Sequence, residues 1–197
     1  GIPISRSKIF SLIESFSVFL SEKSFDAFAN FARSNAFLNF LKKTYDKFSA
    51  TSFLRDLDNF QTKSLPQHFE DIKKRCDYES VKLAVSECDD LINSFNQNNL
   101  SSAVSEMLIK ILADDGELNR MSEIAKMDLD ELGEKLRESI IEIKNSPLEK
   151  SDLTPAEKLK FYVESLKENK IQELSITNSV PLSGWLEMQF ENAENII

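Results

Sequence analysis

Glycine is nearly absent from this chain. Four glycines stand in 197 residues, and none lies between Gly1 and Gly116. That is about 2%, against a usual share of ~7%. Phosphate-cradling loops, dinucleotide fingerprints and nucleophile elbows need glycine where the backbone turns tightly or approaches a ligand. The glycine-free stretch excludes all three. Proline is scarce too, with five residues. Few of the turns that sheets need can be built from so little of either, which favours helices.

The usual catalytic groups are also thin. The chain has one histidine, one tryptophan and two cysteines. No catalytic residue and no cofactor is expected. Cys76 and Cys88 belong to no CxxC motif and have no ligand partner nearby, so both are read as buried free thiols rather than a disulfide framework. That leans towards a reducing setting, hence an intracellular or cytoplasmic protein, the cytosol of another cell included. No apolar run reaches the ~18 residues of a membrane span. Residues 9–20 are the most apolar stretch, and Glu14 interrupts them. No Met opens the chain, so Gly1-Ile2-Pro3 reads as a processed or cut start.

Positive charge is in deficit. Net charge is −9, and it is unevenly spread. Residues 1–69 carry nine Lys/Arg against six Asp/Glu, whereas residues 70–197 carry fifteen against twenty-seven. Nucleic-acid binding is not expected of the acidic part, because neutralising phosphates takes clustered Lys and Arg.

What the chain has in surplus is phenylalanine. Thirteen of its fifteen lie before Gly116. A first helix is expected from about Ser5 to Leu20, with Ile9, Leu12, Ile13, Phe16, Phe19 and Leu20 on one face. Residues 24–48 behave differently. At about 100° per residue, Phe25, Phe28, Ala32, Ala36 and Phe40 fall on one side. Phe31, Phe37, Leu38, Leu41, Tyr45 and Phe48 fall on the other. Either the helix breaks near Ser34-Asn35, or one long helix is buried on both faces, or one face is a docking site.

Further helices follow by the same period. Thr51–Lys63 carries Phe53, Leu54, Leu57 and Phe60 inward, with Thr51 as N-cap. Pro66 is expected to open the next helix at its first turn, with His68 on its surface. Lys73, Lys74 and Arg75 form a solvated face with Cys76 turned inward. Asp77 suits an N-cap for a long helix with Val81, Ala84, Val85, Cys88, Leu91, Ile92 and Phe95 as its stripe. Asn96 to Asn99 read as a loop. A helix from Ser101 or Ser102 would end at Asp114-Asp115-Gly116.

A short helix is expected over 120–127. Asp128 and Glu131 then make a capping box, with Met127 and Leu132 as its staple. Asn145-Ser146-Pro147 stops that helix, and residues 145–153 form a polar connector. Thr154-Pro155-Ala156-Glu157 is a second start signal, followed by Leu159, Tyr162, Val163 and Leu166 inward. Residues 171–180 lose the helical period, and Ser183 opens a last helix with Leu186, Phe190, Ala193 and Ile197 on one side.

Met121–Ile140 resembles the helix-turn-helix core of winged-helix domains over about twenty residues, in the pattern I-A-K-x-x-L-x-x-L. The resemblance implies DNA reading, but the would-be recognition helix carries six acids (Asp128, Asp130, Glu131, Glu134, Glu138, Glu142) against three bases (Lys135, Arg137, Lys144). A structural corner between helices fits that charge better. Ala113-Asp114-Asp115-Gly116-Glu117 resembles the A-D-G-E turn of tellurite-resistance TerB-like helical domains. Its acids also fail the EF-hand pattern, since Ile111 stands where that loop has Asp.

The fold class expected is therefore all-α: an irregular multi-helix bundle of about eight to ten helices with a Phe-rich core and no substantial sheet. Residues 1–197 read as a single helical domain, with room for a Phe-rich lobe (1–63) packed on an acidic helical lobe (66–197). The function expected is a non-enzymatic helical protein–protein interaction module, an adaptor, effector or regulatory domain. Its partner, another protein, would dock on Phe25, Phe28, Phe31, Phe37 and Phe40 as an apolar surface, with Trp185 as a further anchor. One alternative is peripheral membrane-surface binding through the basic, aromatic N-terminal third. A second is a divalent-metal-dependent protein using carboxylates such as Asp114, Asp115 and Glu117. Burial of all five phenylalanines would remove the docking surface.

Overall fold

The computed structural model describes residues 2–3, 7–112, 123–168 and 170–171. Among them are nine helices: α1 Lys8–Glu22, α2 Phe25–Ala32, α3 Asn35–Thr44, α4 Ala50–Ser64, α5 Phe69–Arg75, α6 Glu79–Gln97, α7 Leu100–Leu112, α8 Glu123–Asn145 and α9 Pro155–Glu168. A two-residue strand, β1 Ile2–Pro3, pairs antiparallel with β2 Lys170–Ile171. The fold is all-α.

Serine starts the first four helices. The hydroxyls of Ser7, Ser24, Ser34 and Ser49 accept from the amides of Phe10, Ala27, Phe37 and Ser52, at 3.0, 3.1, 3.4 and 3.4 Å. Each thereby satisfies one amide that a helix start leaves without a partner. Ser34 decides the question posed by residues 24–48: the chain breaks there, and α2 and α3 are separate helices. The other explanation also holds in part. Six of the eight residues of α2 are buried, Phe25, Ala27, Phe28, Ala29, Phe31 and Ala32, so it is packed nearly all round.

With no glycine to end them, α1 and α4 close on left-handed residues that carry side chains, Lys23 and Leu65. The segments beyond these two ends meet. Phe25 donates its amide to the Gln67 carbonyl and Phe69 donates to the Lys23 carbonyl, each at 2.9 Å. This single bridge pairs Ser24 with His68 and seats α5 against α2.

Several starts differ from expectation. Ser49, not Thr51, caps α4. Pro66 is buried in the link before α5, whose N-cap is exposed His68. There the Asp71 carboxylate accepts from the amides of Gln67 and His68, at 3.0 and 2.9 Å. Tyr78 rather than Asp77 precedes α6, which runs on through Asn96 and Gln97. The Asn99 side chain accepts from the Ser102 amide at the start of α7. The expected turn near Lys126 is absent: Glu123 to Asn145 is one helix, with neither a helix-turn-helix nor a corner. No glycine or proline interrupts residues 123–132, so a potential cap at Asp128 is not enough to stop propagation. At α9 the start signal works as expected. Glu157 accepts from the Thr154 amide and hydroxyl, and Thr154 accepts from the Glu157 amide.

One hydrophobic cluster runs from Phe10 to Leu166. α9, the last of the described helices, packs along α1, while α7 meets α3, α6, α8 and α9. Phenylalanine rings link the layers. Phe16 lies 5.1 Å from Phe31 and 5.1 Å from Phe95, Phe31 lies 4.8 Å from Phe37, and Phe69 lies 4.9 Å from Phe19. These are tilted or edge-on pairs, the geometries that ring quadrupoles favour. No helix among the described residues is long and apolar enough to cross a membrane.

Candidate functional site

The proposed Phe surface is consumed by the core. Phe25 is 1% exposed, Phe28, Phe31 and Phe37 are 0%, and Phe40 is 7%. The two opposed stripes both face inward, because the break at Ser34 lets α3 turn its own face to the core that α2 already fills. These five rings offer a partner no standing surface, and none to a bilayer either. Trp185 lies outside the described residues, as do Asp114, Asp115 and Glu117. Among the described residues, no group of three or more His, Cys, Asp or Glu is placed to hold a metal ion. Both thiols are free and buried, and burial pushes each of them up.

A concave site lies instead where α3 hands over to α4. The connector 45–49 and the start of α4 stand opposite the first two turns of α6. Between them is a groove of about 460 Å³, lined by Thr44 to Ser49, Ser52, Glu79, Ser80 and Leu83. Tyr45 ends α3 with an extended backbone, φ −127° and ψ 105°. The Phe48 amide then donates to the Tyr45 carbonyl at 2.9 Å, closing a tight turn. Phe48 is buried, its ring 5.6 Å from that of Phe53. Tyr45, Phe48 and the half-buried Leu83 give the groove apolar walls.

Hydroxyls supply most of its polar groups. The Ser80 hydroxyl donates to the Asp56 carboxylate at 2.8 Å, and the Ser49 hydroxyl is engaged by the Ser52 amide. Asp46, Lys47 and Glu79 bring both signs of charge to the site, and Glu79 is paired with Lys82 at 2.9 Å.

A polar relay centred on buried Glu87 runs beneath. The Tyr45 hydroxyl donates to Glu87 Oε1 at 2.6 Å. Glu87 is only 6% exposed, and its Oε2 stands 2.7 Å from Lys110 Nζ on α7. Asp90 lies 3.8 Å from the same ammonium, and the Phe40 ring centroid lies 5.7 Å from it. The hydrogen bond to Glu87, aided by burial, raises the Tyr45 phenol to about 12. A carboxylate so enclosed is tolerable because a hydroxyl and an ammonium both meet it.

The expectations named Tyr45 only as part of an apolar stripe and did not name Glu87. A signal for Glu87 existed. It falls between Ala84 and Leu91 at helical spacing, a charged residue on the buried face of α6.

A second, smaller groove of about 220 Å³ lies between α1 and α9, with Val18 and Val163 among its walls. The Lys167 ammonium reaches across it to Glu14 at 3.3 Å. No protein-family model matches this chain, and neither a curated protein nor a solved structure matches it.

Proposed function

We propose that this protein is a non-enzymatic protein-interaction module, an adaptor, effector or regulatory domain, that receives a short segment of a partner protein in the groove between the 45–49 connector and α6. The supporting observation is the groove itself: apolar walls from Tyr45, Phe48 and Leu83, with Ser49, Ser52 and Ser80 in the same lining. A concave apolar site with a few placed polar groups is the usual form of a binding site. The fitting occupant carries one apolar side chain for the walls, with backbone amides and carbonyls for the hydroxyls. Two buried thiols suit the intracellular setting this reading assumes.

Selection of random peptides displayed on phage tests it, with Ser52→Trp as the counter-target. Tryptophan at this half-buried position fills the groove from the α4 side. The expected result is a family of peptides sharing an apolar anchor and losing tenfold or more of their affinity for Ser52→Trp. Peptides indifferent to that change, or no enrichment at all, would overturn the reading.

A further inference from the structure

The connector wall of the groove is tied down from beneath by one buried carboxylate. Glu87 makes two contacts that lead to different elements. Lys110 links it to α7. Tyr45 links it to the first residue of the connector, the point where α3 ends and the chain turns towards Phe48. The Tyr45 contact is a hydrogen bond to a carboxylate, a kind roughly twice as strong as a neutral one, whereas the Lys110 contact is an ion pair. The Tyr45 tie thus fixes the start of a five-residue segment whose Phe48 is packed on Phe53, whereas the Lys110 contact joins two helices that already pack on each other. Of the remaining acids of this stretch of α6, Asp89 pairs with Lys73 at 2.6 Å, and exposed Asp90 lies 3.8 Å from the Lys110 ammonium, more distant than Glu87.

We propose that the Tyr45–Glu87 hydrogen bond is a latch on the groove. It holds the 45–49 connector in the conformation that forms the groove wall, so that buried Glu87 sets the groove's shape through Tyr45. Glu87 is then a positioning residue, out of reach of any occupant. The consequence for binding rests on the groove reading above, but the latch itself is tested without a ligand, so either can fail alone.

Amide hydrogen exchange on the intact chain tests it, comparing wild type with Tyr45→Phe. Phenylalanine keeps the ring on the wall and deletes only the hydroxyl. The Phe48 amide should exchange about tenfold faster or more, while core amides such as those of Phe16 and Leu57 accelerate much less. Lys110→Met is the control: it disturbs Glu87 but spares the hydroxyl bond, so Phe48 should accelerate no more than the core does. The latch is overturned by a uniform acceleration in Tyr45→Phe, by an unchanged Phe48 amide, or by equal opening of the connector in Lys110→Met. If Tyr45→Phe does not fold, the near-isosteric Glu87→Gln decides. It keeps an acceptor but loses the charge, so a several-fold faster Phe48 amide supports the latch and an unchanged one overturns it.

Discussion

Leu65 occupies the left-handed region at φ 42° with its side chain 74% exposed. A side chain there costs about 1–2 kcal/mol against the right-handed alternative. Leu65→Gly should therefore raise stability by up to about 1 kcal/mol, the greater freedom of unfolded glycine offsetting part of the gain. A higher urea midpoint checks it; a lower one would mean that the exposed leucine makes a contact worth more than the strain. Tyr162 offers a test by pH. It is fully buried, its hydroxyl 3.0 Å from that of Ser139, and burial raises the phenol to about 12. The unfolded chain ionises this group near pH 10. Above that pH the folded state holds the proton and the unfolded state does not, so stability falls as pH rises from about 10 to about 12. Urea unfolding across this range should show a shallower fall in Tyr162→Phe than in wild type. Residue-scale chemistry of this kind was partly legible in advance. His68 is exposed, as expected of a surface histidine, and Cys76 turns inward. The Tyr45–Glu87 bond was not legible, because its partners stand 42 positions apart and no local pattern reports a contact across that distance.

Helices are where local signals spoke most clearly and also where they misled. Ser34 and the Thr154–Glu157 box act as their residue types predict. Asp128 and Glu131 show an equally good start pattern, yet they lie inside a continuous α8. A cap lowers the cost of starting a helix but does not terminate one already running, and only a breaker would do that. Gly133 is the sole glycine of α8 and does not break it; it is exposed, and a Cβ built there meets nothing within 4 Å. Gly133→Ala should stabilise the protein by about 0.5–1 kcal/mol through helix propensity and a less flexible unfolded chain. A thermal melt would read this directly, and a loss of stability would show that α8 uses that position to admit a neighbour. Contacts between elements supply caps that no local pattern contains. Glu149, in the link between α8 and α9, accepts from the amide and hydroxyl of Ser101 at 3.1 and 2.6 Å, satisfying the first turn of α7 from 48 positions away.

At the scale of the whole molecule the aromatic rings hold the helices to one another. Phe31 touches Phe16 and Phe19 of α1 and Phe37 of α3, at 5.1, 6.2 and 4.8 Å. Phe31→Ala should cost about 3–5 kcal/mol, since it leaves a void that three elements cannot all close around. Equilibrium unfolding in urea measures it, and a cost below about 1.5 kcal/mol would mean that this centre collapses far more readily than its packing implies. The amino-acid sequence by itself determined that the chain is helical and poor in tight turns. It also determined that residues 24–48 present two apolar faces with a change at Ser34. Composition and period suffice for that, because each side chain's tendency to leave water is its own property. Only the tertiary structure decided what those faces meet. Both Phe stripes go inward because α2 has neighbours nearly all round it, and α9 closes on α1 from the far end of the described chain. The groove lies between the 45–49 connector and α6, two segments that Tyr45 joins by its bond to Glu87. A periodicity states that a face needs burial but not which partner buries it, so the surface left over for function is a remainder that only the packed whole defines.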